Sequence, residues 1–232
     1  MHQITKLMHD ICDLIMSHLD EVNRLRFEVT TKPDSTLVTK ADLYLEKLVH
    51  DFVVSNIENV KFIGEETFDF SSVKNEEYIV ILDPIDGTEN FCSGLKEWGV
   101  SFGIWHKESF LGSFILLPEL DIRLVSGDKV QYIKNSRLTG ISSSMAESLI
   151  NVMREPGEYR IMGCAVFNLY NVITGVFKRF VNPKGAYVWD ILPGLMLALE
   201  HGCSIYVDDQ PYHGEMLDPT QKHRIDVRHE IK

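Results

Sequence analysis

The segment Asp83-Pro84-Ile85-Asp86-Gly87-Thr88 follows directly on the apolar run 78–82 and sets two carboxylates at the end of a strand that reads as buried. Like charges that close repel each other or take up a proton unless a cation lies between them. Hard carboxylate oxygens suit Mg²⁺, which takes one or two carboxylates at a site and leaves the rest of its shell to water and substrate phosphate. The same residues also read as an Asx-type turn that caps the next element. By itself the segment leaves both readings open.

Three further acidic segments can meet it. Phe62-Ile63-Gly64-Glu65-Glu66 is a short apolar run ending in a Glu pair. Upstream, Thr39 or Asp42 opens a helix running through Leu43, Leu45 and Leu48. Downstream, Val188-Trp189-Asp190-Ile191-Leu192-Pro193-Gly194 opens an apolar helix with one acid in its first turn, where a carboxylate also complements the helix dipole. Together Glu65, Asp83, Asp86 and Asp190 supply enough oxygen ligands for two adjacent metal ions.

These acids must be placed by an alternation of helices and strands. Ile4, Leu7, Met8, Ile11, Leu14, Ile15 and Leu19 recur at helical spacing and predict a helix over 3–24; a second runs over 40–56. Strands follow near 60–63 and 78–82, then three consecutive antiparallel strands over 99–105, 109–117 and 121–125. A second region starts near Thr139, with helices at 145–153, 165–174 and 189–200 and strands near 159–162, 176–181 and 203–207. No linker separates the halves. The expected organisation is two lobes sharing one cleft: 1–137 with the Glu pair and the DPIDGT segment, and 138–207 with the Trp-Asp segment. Residues 208–232, polar and rich in His and charge, read as a solvated or loosely attached tail.

Composition bounds the function. The 232 residues are 44% hydrophobic, enough for a substantial core. A formal net charge of −11 argues against sequence-independent nucleic-acid binding, which needs a basic stripe to replace phosphate counterions. It does not argue against a phosphate substrate, because bound cations reverse the local sign of an acidic cleft. The four cysteines, Cys12, Cys92, Cys164 and Cys203, are scattered without a CxxC pair, which favours neither a disulfide framework nor a zinc site. The N-terminal stretch, interrupted by Asp10 and Asp13, reads as an amphipathic helix rather than a signal peptide, and no apolar run is long enough to span a membrane. A reducing, cytoplasmic setting without membrane association is the expectation.

The order Asp42, Glu65-Glu66, Asp83-Pro84-Ile85-Asp86-Gly87-Thr88, then Trp189-Asp190 with Gly202 twelve residues on, resembles the inositol monophosphatase family over residues 1–207. That family comprises Mg²⁺-dependent, lithium-sensitive phosphatases acting on inositol phosphates, 3′-phosphoadenosine 5′-phosphate, fructose bisphosphate or histidinol phosphate. The resemblance implies an α+β fold, the layered α/β/α/β/α sandwich of the sugar phosphatases, and a homodimer acting on a small phosphorylated metabolite with Mg²⁺ as cofactor. By the same resemblance Glu65, Asp83 and the Ile85 carbonyl hold one ion, and Asp83, Asp86 and Asp190 a second. Thr88, Asp42 and Glu65 are then the catalytic set: Thr88 orients the attacking water and Asp42 accepts the proton of Thr88. Asp42 also reads as a plain helix cap. Glu66 is a candidate for a third ion, or a surface acid.

On the substrate side, Gly87 and Thr88 offer backbone N–H groups to a phosphate. Gly163-Cys164-Ala165 stands where the family grips its substrate with Gly-Thr-Ala, so a thiol replaces a hydroxyl. Seven positions before Asp190, where the family offers an acid, stand Pro183 and then Lys184. A lysine prefers an anion. Lys184 is therefore the expected contact for a substrate with a second negative group, with a solvated surface lysine as its other reading. A regulatory or interaction protein that retains the fold without turnover is the alternative to the enzyme.

Overall fold

The computed structural model describes residues 2–32, 36–68, 77–143 and 147–230. In chain order its elements are α1 (His2–Ser17), α2 (Leu19–Leu25), β1 (Val29–Thr31), β2 (Leu37–Thr39), α3 (Lys40–Asn56), β3 (Val60–Gly64), β4 (Tyr78–Asp86) and α4 (Thr88–Cys92). Then come β5 (Gly99–His106), β6 (Ser109–Leu117), β7 (Ile122–Val125), β8 (Leu138–Ile141), α5 (Ser148–Met153) and β9 (Glu158–Ile161). The chain closes with α6 (Ala165–Ile173), β10 (Arg179–Ala186), α7 (Val188–Glu200), β11 (Ser204–Val207), β12 (Gln210–Pro211) and β13 (His223–Arg228). The helix expected over 3–24 is broken at His18, whose backbone leaves the helical region (φ −103°, ψ 6°) and whose ring meets the Tyr44 hydroxyl.

The strand alternation of β4 and β6 separates two cores. Val80 and Leu82, with Phe114 and Leu116, face α1 and α3 and pack with Met8, Ile11, Ile15, Leu45 and Val49. Ile81, with Ile115 and Leu117, faces the other way onto Val166, Leu169, Ile191 and Leu195 of α6 and α7. A five-stranded sheet ordered β3-β4-β5-β6-β7 thus lies between two helical layers. The far side of α6 and α7 rests on a six-stranded sheet ordered β12-β11-β13-β10-β8-β9 through Phe180, Ile205, Ile225 and Val227. The short α5 lies in the connection between the parallel strands β8 and β9. The α+β layered architecture is therefore present.

The segment after Val207 departs from the expectation. β13 is no loose tail but an interior strand, antiparallel to β10 on one side and to β11 on the other. Its buried residues alternate at His223, Ile225 and Val227, a face with only two apolar residues, too short to stand out among the charges around it. Among the described residues no helix is long and apolar enough to cross a membrane.

Candidate active site

A bulge places the two acids of the DPIDGT segment on one face. Residues three apart on a regular strand point to opposite faces. Between β4 and β5, however, Asp83 pairs with Ser101 and Asp86 with Gly99, so β4 carries one residue more than its partner. That extra residue returns Asp86 to the face of Asp83, and a bulge tolerates Pro84, which cannot donate to the ladder. β3 runs parallel to β4 with Gly64 opposite Leu82, so the residue after Gly64 emerges beside Asp83; this is Glu65. The third contributor is α7, which crosses this sheet with Asp190 in its first turn. One carboxylate oxygen each from Glu65, Asp83 and Asp190 lie within 4.8 Å of one another.

Pro193 would weaken the start of α7, because it has no N–H for the Trp189 carbonyl one turn earlier. The Ser101 hydroxyl donates to that carbonyl instead, at 3.0 Å, and the Ser113 hydroxyl donates to the Pro193 carbonyl at 2.9 Å. Two serines on the sheet thus hold the turn that carries Asp190. The Asp190 carboxylate itself accepts the Tyr187 N–H at 2.8 Å.

The cluster is short of positive charge. Burial, then the carboxylates of Glu65, Asp86 and Asp190, push Asp83 well above the ordinary range, and its Oδ2 is buried without a hydrogen-bond partner. Burial and Asp190 push Glu65 up to about 8, and burial and Asp86 push Asp190 up to about 7. Asp86 also rises through burial, held back by the Cys164 thiol at 2.9 Å and by the Val166 N–H. Asp86 is therefore turned toward α6, and the close carboxylate group consists of Glu65, Asp83 and Asp190. A set of hard oxygens with one of them orphaned in a buried site fits Mg²⁺.

Sequence reasoning missed the cation on this side, Lys32, which bonds Glu65 at 3.0 Å and Glu66 at 2.7 Å. Burial draws its proton affinity down, but the two glutamates more than offset that and the net shift is upward. Glu66 is no surface acid, since its side chain is only 5% exposed. Its N–H is gripped at 2.9 Å by Glu46, a second acid missed because it reads as one more polar residue of α3. Gly64 makes the room: a Cβ there would lie 2.4 Å from the Glu46 carboxyl carbon.

Asp42 and Thr88 do not meet as expected. Thr39 is the N-cap of α3 and Asp42 its third residue, closing a capping box in which Asp42 accepts the Thr39 N–H at 2.8 Å and the Thr39 hydroxyl. Asp42 is fully buried, its Oδ1 is unpartnered, and burial pushes it up to about 6 against the pull of the Thr39 bonds. The Thr88 hydroxyl instead donates to the Ile85 carbonyl at 3.0 Å. Gly87 joins β4 to α4 in the left-handed region (φ 83°) and leaves room for α6, since a Cβ there would come within 2.9 Å of the Cys164 Cβ. Gly87, Thr88 and Gly163 line one cavity of about 350 Å³ with Glu65, Asp83 and Asp190.

An adjoining cavity of about 170 Å³ shares Asp86, Gly163 and Asp190 with the first and adds Cys164, Ala165 and Lys222. Cys164 takes the place of a capping hydroxyl, its Sγ accepting the Phe167 N–H at 3.2 Å at the start of α6. Lys184 is exposed on β10 and lines neither cavity, so the cation expected there comes instead from the segment that reads as a tail.

Comparison with known proteins places the chain in a family. The profile of the inositol monophosphatase family matches residues 2–230. An inositol-1-monophosphatase of Rhizobium meliloti is 23% identical over 198 residues, covering 75% of this chain and 73% of its own. A fructose-1,6-bisphosphatase/inositol-1-monophosphatase of Thermotoga maritima is 25% identical over 218 residues, covering 85% and 80%. A solved IMPase/NADP phosphatase complexed with Mg²⁺ and phosphate superposes with a TM-score of 0.76 at 17% identity, over 96% of this chain and 92% of that one. The chain belongs to the inositol monophosphatase family.

Proposed function

We propose that the protein is a Mg²⁺-dependent phosphomonoesterase acting on a small phosphorylated metabolite. The observation that carries this reading is the meeting of Glu65, Asp83 and Asp190 within 4.8 Å, with Asp83 fully buried and one of its oxygens unpartnered. Uncompensated buried charge of this kind is costly to the fold and marks a site whose balance comes from outside the chain. Glu65, Asp83, Asp190 and the Ile85 carbonyl, with Asp86 beside them, would hold two ions with Asp83 shared. When bound, Mg²⁺ supplies charge neutralisation for the transferring phosphoryl group and lowers the pKa of water.

The chain's own groups do the rest. Gly87 lets the backbone come close to a phosphate at the start of α4. Thr88, on the wall of the same cavity, has a hydroxyl that can turn from the Ile85 carbonyl to orient an attacking water, and Asp42 has a free lone pair at Oδ1 to receive a proton. Lys32 holds Glu65 and Glu66 in place, and Glu66 remains the candidate for a third ion.

Inositol phosphates, sugar bisphosphates and 3′-phosphonucleotides are the substrate classes to test. Cys164 and Pro183 stand where a polyol-selective relative offers a hydroxyl and an acid, and a buried hydroxyl that loses a partner costs on the order of 1–3 kcal/mol. Inositol 1-phosphate is therefore expected to fall about tenfold or more below the best substrate in kcat/KM. The resemblance alone supports a homodimer, which sedimentation would check. The test of the function is phosphate release from a phosphomonoester panel with Mg²⁺ and with a chelator. Turnover that needs the metal supports the enzyme; tight binding without release would support the regulatory alternative.

A further inference from the structure

The smaller cavity of the cleft has its own cation. Lys222 lines it together with Asp86, Gly163, Cys164 and Asp190, and the Lys222 ammonium lies 5.0 Å over the ring of Tyr187, the residue before α7. Lys32, on the far side of the acids, is committed to Glu65 and Glu66. Lys222, by contrast, forms no ion pair among the described residues: its ammonium lies over the Tyr187 ring, and its charge also reaches Asp190, whose carboxyl it draws down against the larger upward push of burial.

The backbone is built to put this lysine there. The next residue, His223, is buried and bonded at both ring nitrogens, to Asp208 Oδ2 at 3.0 Å and to the Asp218 carbonyl at 2.9 Å. From the other side β10 presses close at Gly185, where a Cβ would lie 3.1 Å from the Lys222 Cβ and where φ is +88°. The cavity also holds a hydrogen-bonding group with nothing to bond: Ser142 is 9% exposed and its Oγ is buried without a partner. Asp86 and Asp190 would repel a second anion placed beside the scissile phosphate, so such an anion needs a cation lining the same cavity.

Building on the phosphomonoesterase reading, we propose that Lys222 is a specificity residue that selects substrates carrying a second phosphate, pairing its ammonium with the group that is not cleaved. The cation–π contact with Tyr187 holds the ammonium over the cavity mouth until that phosphate arrives. Lys184, one strand away and exposed, has no such placement.

Two matched pairs test this: fructose 1,6-bisphosphate against fructose 1-phosphate, and adenosine 3′,5′-bisphosphate against adenosine 3′-monophosphate. The wild-type protein should prefer the bisphosphate in at least one pair by about tenfold or more in kcat/KM, the scale of one charge-assisted hydrogen bond. Lys222→Ala should erase that preference through KM, the bisphosphate losing about tenfold more than the monophosphate, and Lys222→Arg should retain most of it. No preference in either pair, or equal losses for both members in Lys222→Ala, overturns the proposal while the phosphatase reading stands. If none of the four compounds is turned over, the same four are titrated calorimetrically with Mg²⁺ present. A Lys222-dependent preference in affinity then supports the subsite and sinks the phosphatase reading, and its absence overturns the subsite.

Discussion

Arg26 is buried against the half-buried Glu119, and Asp83 is buried between the half-buried Glu65 and Asp190, yet the two groups are completed in different ways. Glu119 receives the Arg26 guanidinium and, at 2.6 Å, the Trp98 indole N–H. The same Arg26 nitrogen, Nη2, also donates to Asn23 Oδ1 at 2.7 Å, and the guanidinium lies 4.4 Å over the ring of Phe91, while Nε is buried without a partner. The charge there is balanced within the chain. At the cleft, among the described residues, Lys32 is the one cation bonded to the acids, and Asp83 Oδ2, Asp42 Oδ1 and Glu46 Oε1 are left without partners. A fold that sets a guanidinium against Glu119 does not leave three carboxylates together for want of means. The contrast separates charge that holds the fold from charge that awaits a ligand.

The sharpest way to break this contrast is to neutralise one acid in each cluster. Asp83→Asn should cost roughly 10³-fold in kcat, the upper range for a positioned electrostatic group. It should leave the melting temperature of the chelated protein unchanged or raised, because it relieves repulsion. Glu119→Ala should do the reverse, destabilising by about 3–5 kcal/mol by leaving Arg26 buried and unpaired. Its folded fraction should retain wild-type kcat, as denaturant melts combined with active-site-normalised kinetics would check. Thr88→Ala sharpens the catalytic half: a loss of about 10²-fold in kcat with KM little changed marks a water-orienting hydroxyl, whereas a rise in KM alone marks a substrate grip.

The pH dependence of stability probes the cleft acids as well. Glu65 ordinarily titrates near 4.5 and is pushed up to about 8 by burial and by Asp190. In that interval the folded chain binds more protons than the unfolded one, so unfolding free energy falls as pH rises from about 4.5 to about 8. Thermal melts in a chelator should follow that slope, and Mg²⁺ should flatten it by taking the place of the protons. The smallest effect belongs to Ser101→Ala, which frees the Trp189 carbonyl and should cost about 1 kcal/mol, with a larger effect on Mg²⁺ affinity than on the melt.

Much of the site was legible because its signals are local. The DPIDGT run, the Glu pair and the Trp-Asp turn each stand next to an apolar stretch, and parallel pairing of β3 with β4 brings the first two together in register. The pairing of Asp42 with a helix cap was also readable, as one of two roles, from Thr39 three residues before it. What escaped depends on distant neighbours. Glu46 looks like any exposed helix acid until Gly64 is seen to make room for it. Lys222 and His223 lie in a polar stretch whose strand is recognisable only from the β10 and β11 that flank it. Cys164 shows its thiol bond to Asp86 only once α6 has packed against the end of β4.

The measurement that bears most directly on the acidic cluster as a cation site is a calorimetric titration of Mg²⁺ into the wild-type protein and into Asp83→Asn, with both shown folded by circular dichroism. The expected result is saturable Mg²⁺ binding by the wild type and its loss, or a steep weakening, in Asp83→Asn. Undiminished binding by Asp83→Asn, or no binding by the wild-type protein, would contradict the assignment of Glu65, Asp83 and Asp190 as the metal site.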